Sequence, residues 1–130
     1  MDLSWASPSV NRKHAEDLIR SMNKADLYIL PEMFSTGFAT EPEGIAEDWT
    51  ADTCDSLKWI QQLASELDAA IAGSIAVKEA NGNYYNRFCF VRPDGVCNFY
   101  DKYHLFTYGG EHLRYTAGQE RTIVEFRGVR

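Results

Sequence analysis

The stretch "LYILPEMFSTGF", residues 27–38, begins like a buried strand and then meets a glutamate. Four consecutive apolar residues are typical of a strand that is covered on both faces. Glu32 comes just past them, and the ends of strands in α/β sheets are where clefts form. Burial among Pro31, Met33 and Phe34 would make Glu32 costly to ionise, which suits a group that exchanges a proton near neutral pH. The alternative is a glutamate that caps a helix or pairs with a lysine.

Helical periodicity flanks this stretch on both sides. Upstream, Ser7 is a candidate cap and Pro8 suits the first turn of a helix. Downstream, a second helix is predicted from Thr53 to Asp68. Each helix has an apolar stripe at three- and four-residue steps: Ala15, Leu18, Ile19 and Met22 in the first, and Leu57, Ile60, Leu63, Ala64 and Leu67 in the second.

Strand-like runs dominate the second half of the chain. They are "AAIAGSIAV" (69–77), "YYNRFCFVR" (84–92), "VCNFYDKY" (96–103) and "RTIVEFRGVR" (121–130). The tripeptide "PDG" between the second and third runs predicts a hairpin. The order helix, strand, helix and then several strands favours a layered α/β or α+β domain over a helical bundle or an all-β sandwich.

Length and charge narrow the class of protein. A chain of 130 residues is expected to form one domain, residues 1–130, and it can bury a core without disulfides. The net charge of -6 counts against binding to nucleic acid or to an anionic membrane. The sequence contains no run of eighteen apolar residues, so it predicts no transmembrane helix.

The three cysteines indicate a reducing environment. Cys54, Cys89 and Cys97 fit no zinc-binding spacing, and one would be left over if two of them paired. Free thiols are the simplest interpretation, and they predict a cytoplasmic protein. Nothing in the pattern of residues calls for a metal or an organic cofactor.

Two further stretches place a charged residue in unusual surroundings. In "FYDKYHLF", Lys102 lies among aromatic residues, where a fixed cation could stabilise an oxyanion. The alternative is a lysine that snorkels from a strand edge. In "GGEHLRYTAGQE", Glu111 follows two glycines in a loop that could approach a ligand. The alternative is a simple turn with a solvated glutamate.

These motifs are more specific together than apart. The stretches "LPEMFSTGF", "YDKYHLF" and "GEH…YTAG" occur in this order, and each follows a strand-like run. In this combination the chain resembles the nitrilase superfamily of carbon–nitrogen hydrolases, and within it the bacterial omega-amidase branch. The resemblance runs from "DLSW" to "EFRGVR", which is essentially the whole chain.

The resemblance implies a fold and a mechanism. The fold is an α-β-β-α sandwich, commonly in a homodimer, and the family's catalytic triad is Glu–Lys–Cys. Glu32 matches the general base, Lys102 matches the lysine, and Glu111 matches a second glutamate that positions the lysine and the substrate amide. The omega-amidase branch implies hydrolysis of the terminal amide of a small 2-oxo acid amide, such as 2-oxoglutaramate, to the acid and ammonia.

The family's nucleophilic cysteine belongs to a short Cys-Tyr-Asp-like motif after the last strand-like run. The sequence ends at Arg130, before such a motif, and Cys54, Cys89 and Cys97 lack its local context. We therefore expect residues 1–130 to be the N-terminal part of a single hydrolase domain, with an incomplete sandwich and no activity alone. Exposed strand edges in such a part would favour dimerisation or exchange of elements.

Other functions fit parts of the pattern. A nitrilase, a carbamoylase or an N-acyl amidase of the same superfamily would use the same motifs, and Arg87 could either meet a substrate carboxylate or lie on a strand surface. A glycoside hydrolase could pair Glu32 with Glu111, which requires carboxyl groups roughly 5 to 10 Å apart and leaves Lys102 unexplained. A degenerate, truncated domain that only binds a partner would need no nucleophile.

Overall fold

The computed structural model describes residues 1–50 and 52–130. Within them, a mixed sheet is covered on one face by two α-helices. The helices are α1 (Pro8–Ser21) and α2 (Asp55–Leu67). The strands are β1 (Leu27–Ile29), β2 (Glu47–Asp48), β3 (Ala70–Lys78), β4 (Tyr84–Val91) and β5 (Cys97–Asp101). This layered arrangement confirms the predicted α/β class.

The sheet is organised around β3. Its order is β1–β3–β4–β5, and β2 pairs with the far end of β3. β1 and β2 run parallel to β3, whereas β4 is antiparallel to both β3 and β5. β3 is buried from Ala70 to Val77, which explains its nearly all-apolar sequence. The N–H of Arg92 donates to the carbonyl of Val96 in the turn between β4 and β5, so the predicted hairpin is confirmed.

The hydrophobic core lies between the helices and one face of the sheet. Ile71, Ile75 and Val77 of β3 are buried there with Ile60 and Leu63 of α2. Removing this apolar surface from water is the main favourable term in folding. This core covers one face of the sheet. The candidate site lies on the other face, where a smaller cluster of Met33, Ala76 and Tyr115 is also buried.

α1 buries a narrower face than its sequence predicts. Ala15 and Ile19 pack in the core, but Leu18 and Met22 are exposed. Residues four apart lie one above the other on a helix, and the row formed by Ala15 and Ile19 faces the core. The row formed by Leu18 and Met22 instead lines an open groove beside β1.

Neither helix is capped by the side chain of its N-cap residue, although the sequence predicts Ser7 as the cap of the first. α1 begins at the predicted proline, but the hydroxyl of Ser7 donates to the carbonyl of Trp5 instead of accepting from a helix N–H. α2 begins at Asp55, two residues later than predicted. The carboxylate of Glu47 accepts from the N–H of Ser56 at 2.7 Å. A side chain from β2 therefore satisfies one of the free amides in the first turn of α2.

β1 is less buried than predicted. Tyr28 faces the helices, whereas Leu27 and Ile29 lie on the opposite face, where Ile29 is 71% exposed. Side chains alternate between faces along a strand, so only one apolar face of β1 is covered. Phe88 of β4 is exposed on the same open face.

The predicted strand over residues 121–130 is wrong. Among the described residues, its pairing is limited to a bridge between Phe126 and Val129. Arg127 and Gly128 have φ angles of 49° and 79°, and this tight turn folds Phe126 back onto Val129. A strand needs a neighbour that completes its backbone hydrogen bonds, and this segment has turned on itself instead.

Candidate active site

Glu32 lies on a turn that two buried residues anchor. The N–H of Met33 donates to the hydroxyl of Ser74 at 2.8 Å, and the N–H of Phe34 donates to the carbonyl of Ser74 at 3.1 Å. Both side chains are fully buried, Phe34 in the core beneath the helices and Met33 in a smaller cluster with Ala76 and Tyr115. The Glu32 side chain is 48% exposed. The expectation that apolar neighbours bury this carboxylate is therefore wrong.

Lys102 follows β5 and its backbone is held on both sides. Its N–H donates to the carbonyl of Asn86 at 3.0 Å, and its own carbonyl accepts from the N–H of Gly118 at 3.0 Å. A Cβ on Gly118 would lie 2.1 Å from the carbonyl oxygen of Asp101, so only glycine allows this approach. The glycine of "YTAG" thus helps to fix the lysine of "YDKYHLF".

Glu111 is buried at the start of a short 3-10 helix, Glu111–Leu113. Its Oε2 accepts from the N–H of Phe106 at 2.6 Å and from Lys102 Nζ at 2.9 Å. Its Oε1 accepts from Asn86 Nδ2 at 3.0 Å. Gly110 just before it has a φ of 79°, which favours glycine. The alternative of a solvated turn glutamate is therefore wrong.

The three predicted residues meet in one cluster. Lys102 Nζ donates to Glu32 Oε1 at 2.8 Å and to Glu111 Oε2 at 2.9 Å. Burial by itself lowers the pKa of Lys102, but the hydrogen bonds and charges of the two glutamates outweigh it, so this pKa lies above its ordinary value. The lysine is held as a cation between two carboxylates, which excludes the alternative of a lysine that snorkels freely into solvent.

Two cavities adjoin the ion pair of Glu32 and Lys102. The first has a volume of about 280 Å³ and is lined by Leu30, Glu32, Ser74, Asn86, Phe88, Tyr100 and Lys102. The second has a volume of about 550 Å³ and is lined by Glu32, Phe38, Lys102, His104, Leu105, Phe106, Thr107 and Tyr108. A small molecule in either cavity would reach both the carboxylate and the ammonium group.

Sequence reasoning missed Asn86. This residue lies on β4, is 2% exposed, and donates through Nδ2 to both Glu32 and Glu111. The available signal was an amide side chain, next to Arg87, in a strand whose other residues are aromatic or apolar. A buried polar group of this kind needs hydrogen-bond partners. Its partners come from two distant stretches of the chain, and the strand pattern by itself does not name them.

Arg87 does not take part in the cluster. It is 3% exposed and lies on the helix-facing side of β4. It donates to both oxygens of Asp101 at 2.7 and 2.9 Å and to Glu79 at 2.7 Å. The rings of Trp49 and Phe99 flank its guanidinium, with centroids 4.4 and 4.2 Å away. Both sequence interpretations, a substrate contact and a surface arginine, are therefore wrong.

The three cysteines are free and lie away from both cavities. Cys89 and Cys97 lie on the hairpin of β4 and β5 as predicted, and Cys54 immediately precedes α2 rather than lying within it. Burial, together with the negative charge of Glu47, raises the pKa of the Cys54 thiol to about 12. In this arrangement Cys54 is a poor nucleophile at neutral pH.

Two kinds of feature are absent from the described residues. None of their helices is both long and apolar enough to cross a membrane. They also contain no group of three or more His, Cys, Asp or Glu side chains arranged to hold a metal ion.

Fold and site together define an α/β protein whose sheet presents a cation held by two glutamates beside small cavities. The chain belongs to the carbon–nitrogen hydrolase family, whose model matches residues 1–129. This match confirms the resemblance to the nitrilase superfamily that the three motifs indicate.

Two named relatives and one solved structure match nearly the whole chain. It is 41% identical over 128 residues to the omega-amidase YafV of Yersinia enterocolitica, which covers 98% of this chain and 48% of that protein. It is 34% identical over 132 residues to the 2-oxoglutaramate amidase of Bacillus subtilis, covering 99% and 50%. The structure of XC1258 from Xanthomonas campestris, a CN-hydrolase superfamily protein with an arsenic adduct in its active site, matches with a TM-score of 0.89 and 40% identity, covering 98% and 47%. The chain therefore spans about half the length of these relatives.

Proposed function

We propose that this chain supplies the glutamate and lysine residues of an amidase that hydrolyses a small 2-oxo acid amide, such as 2-oxoglutaramate, to the acid and ammonia. The observation that carries the proposal is the position of Lys102 between Glu32 and Glu111 beside a cavity. The names of the relatives support this substrate class. Because the chain spans half of their length, the activity is assigned to a longer parent protein.

The first half of the reaction forms a thioester. A cysteine thiol outside these 130 residues gives its proton to Glu32, and the thiolate attacks the amide carbon. Glu32 suits this step because Oε1 accepts from Lys102 and Asn86, while Oε2 has no hydrogen-bond partner among the described residues. Glu32 then passes the proton to the departing amide nitrogen, and ammonia leaves as the C–N bond breaks.

Lys102 supports the same step as a fixed cation. An ammonium group has three donors, and those of Lys102 make two hydrogen bonds within the described residues, to Glu32 and Glu111. The third donor is available to the oxygen of the tetrahedral intermediate, whose negative charge it stabilises. Glu111 keeps the ammonium in place, since it is itself held by the N–H of Phe106.

The second half of the reaction releases the acid. Water attacks the thioester carbon, and Glu32 takes a proton from that water as the C–O bond forms. Lys102 again stabilises the negative oxygen. The C–S bond breaks, the thiolate regains the proton from Glu32, and the cluster returns to its starting charge.

The first cavity favours a small substrate. Its volume of about 280 Å³ is just below the usual range of ligand pockets. Leu30 and Phe88 give it apolar walls, while Lys102 and Asn86 provide polar groups at one side. Such a site suits a short carbon chain with one reactive amide better than a peptide or a polymer.

The direct test is Glu32→Gln in the parent protein, with ammonia release from 2-oxoglutaramate as the measurement. Losing the general base should lower kcat/KM by about a thousandfold. The stability should change little, because the Glu32 side chain is half exposed. Glu43→Gln, at an equally exposed carboxylate paired with Arg114, is the matched control and should keep full activity.

Retained activity in Glu32→Gln would contradict the base assignment. Nitrile and N-carbamoyl substrates, tested on the same preparation, decide between the omega-amidase branch and the other branches of the superfamily. Hydrolysis of either in preference to 2-oxoglutaramate would replace the substrate class and leave the cluster's role intact.

A second candidate is a non-catalytic binding domain formed by the 130-residue chain itself. The position of Cys54, Cys89 and Cys97 away from both cavities favours it, because the cluster then has no thiol partner within these residues. Ammonia release by this chain alone would exclude the candidate. Absence of turnover together with saturable binding of 2-oxoglutaramate would support it.

The proposed enzyme is a cytoplasmic homodimer. The free thiols of the described residues support a reducing compartment. The exposed apolar residues Ile29 and Phe88, on one face of the sheet, support burial by a further layer or a second subunit. A single monomer peak in size-exclusion chromatography at micromolar concentration would contradict the dimer.

A further inference from the structure

Asn86 joins the two carboxylates of the cluster directly. Its Nδ2 lies 2.6 Å from Glu32 Oε1 and 3.0 Å from Glu111 Oε1. Its backbone carbonyl accepts from the N–H of Lys102 at 3.0 Å. This one buried residue of β4 therefore touches all three members of the cluster.

The orientation of this amide follows from its partners. Ionised carboxylates only accept hydrogen bonds, so the NH₂ group of Asn86 must face them and its Oδ1 must point elsewhere. A flipped amide would set Oδ1 against two negatively charged oxygens. The contacts with Glu32 and Glu111 thus hold the side chain in one of its two possible orientations.

The charge of the cluster explains why a neutral donor matters there. Glu32 and Glu111 bring two negative charges and Lys102 brings one positive charge, so one carboxylate is left without a full counter-charge. Neighbouring carboxylates favour uptake of a proton, whereas hydrogen bonds to the ionised form oppose it. The two N–H donors of Asn86 offset the repulsion and add no charge.

We propose that Asn86 is a positioning residue that shares its two N–H donors between Glu32 and Glu111 and keeps both carboxylates ionised around Lys102. The role rests on the proposed function, because it prepares Glu32 to accept the proton of the nucleophile. A protonated Glu32 could not do so, and the reaction would then stop below the pH at which the proton leaves.

Other titratable groups near the cluster have to be considered in any pH measurement. Burial, and then the charge of Glu111, raises the pKa of Tyr115 above its ordinary value, so Tyr115 stays neutral in the range of interest. Three further groups line the two cavities: Tyr100, His104 and Tyr108. Of these, only His104 belongs to a residue type that normally titrates near neutral pH.

The test compares Asn86→Asp with the unchanged protein, labelled with ¹³C at the glutamate side-chain carboxyl carbons. The substitution keeps the shape of the side chain but places a third carboxylate at the cluster. The titration midpoint of the Glu32 signal, identified by its loss in Glu32→Gln, should rise relative to the unchanged protein, because a neighbouring like charge disfavours ionisation. The acid limb of the kcat/KM profile should move in the same direction.

Three control variants separate this effect from general ones. Asn98→Asp makes the same chemical change on β5, outside the lining of both cavities, and should leave the midpoint unchanged. His104→Asn removes the histidine and should not abolish the shift caused by Asn86→Asp. If Asn86→Asp does not fold, Asn86→Ala takes its place. It removes the donors without adding charge, and it should raise the midpoint by a smaller amount.

The outcomes distinguish this proposal from the proposed function. An unchanged Glu32 midpoint in a folded Asn86 variant would overturn the positioning role, even if the protein is an active amidase. A raised midpoint in a parent protein that releases no ammonia would support the positioning role and overturn the amidase assignment alone.

Discussion

Two ionic clusters with the same formal charges lie on the two faces of the sheet at the hairpin of β4 and β5. On the helix-facing side, Arg87 binds Glu79 and Asp101. On the open side, Lys102 binds Glu32 and Glu111. Each cluster has one cation and two carboxylates. Asp101 and Lys102 are consecutive residues, and because side chains alternate along a strand they point to opposite faces.

The two clusters differ in what surrounds them. Arg87 is enclosed by aromatic rings, and its planar fork binds Asp101 through two hydrogen bonds. Lys102 is a point charge, 25% exposed, beside two cavities. Arginine is suited to a rigid bidentate contact, and lysine leaves a donor free for a ligand. The two clusters therefore have equal formal charge but different roles. The Arg87 cluster stabilises the fold, and the Lys102 cluster is the candidate active site.

The closed cluster also supports the open one. Arg87 and Asp101 are direct partners in the register of β4 and β5, and their ion pair favours that register. In this register Lys102 falls beside Asn86, which accepts its N–H. A slip of one residue would turn every side chain of β5 to the other face and remove Lys102 from the cluster.

The largest effect on stability is expected for Arg87→Leu. The substitution leaves Glu79 and Asp101 without their cation, and breaking a buried ion pair in this way lowers the free energy of unfolding by about 3 kcal/mol or more. Urea denaturation measures the loss. Arg92→Leu, at a more exposed ion pair of the same hairpin, is the control and should cost less than about 1 kcal/mol. Equal losses in the two variants would contradict the structural role of Arg87.

An intermediate effect, with a distinctive pH dependence, is expected for Lys102→Met. The pKa of Lys102 is raised above 10.5 in the folded chain, so its contribution to stability is complete below that pH and is lost as pH rises through the higher folded pKa. The difference in unfolding free energy between the unchanged protein and the variant should therefore stay constant near neutral pH and shrink in strong alkali. Urea denaturation across pH checks this.

Lys58→Met is the control for that experiment. Lys58 forms an exposed ion pair with Asp55 at 3.8 Å, and its loss should change the free energy of unfolding by less than about 0.5 kcal/mol. A difference for Lys102→Met that grows as pH rises would contradict the direction given for Lys102.

The smallest expected effect is a difference in the rates at which iodoacetamide labels the cysteines. It tests whether the helix-facing side of the hairpin is closed to solvent. A hydrogen bond with Cys89, ahead of the opposing effect of burial, lowers the pKa of Cys97, and Cys97 is only partly buried. The same contact, together with burial, raises the pKa of Cys89. Iodoacetamide should therefore label Cys97 first, with Cys89 and Cys54 protected in the folded chain. Peptide mapping over time measures the order.

Cys97→Ser is the control for the labelling experiment and should remove the fast phase without unfolding the protein. Rapid labelling of Cys89 in the folded chain would mean that the face carrying Arg87 is open, and the contrast between the two clusters would disappear.

The local sequence pattern predicted most of the helices and strands, but not how each of them is buried or paired. The periodicity of α2 and the apolar run of β3 survive in the structure, because both bury a continuous face. The run over residues 121–130 has the composition of a strand, but among the described residues its pairing is a single bridge within the run itself. β1 keeps its strand conformation with one face uncovered.

The sequence by itself determined the family and the three charged residues of the candidate site, because "LPEMFSTGF", "YDKYHLF" and "GEH…YTAG" are local motifs that can be read in order. Their roles in catalysis remain predictions. Only the tertiary structure decided that Asn86 joins the two glutamates and that Arg87 belongs to a separate, closed cluster. The physical reason is that hydrogen bonds and burial depend on partners far apart in the chain: Glu32 and Lys102 are 70 residues apart and meet only when the sheet forms.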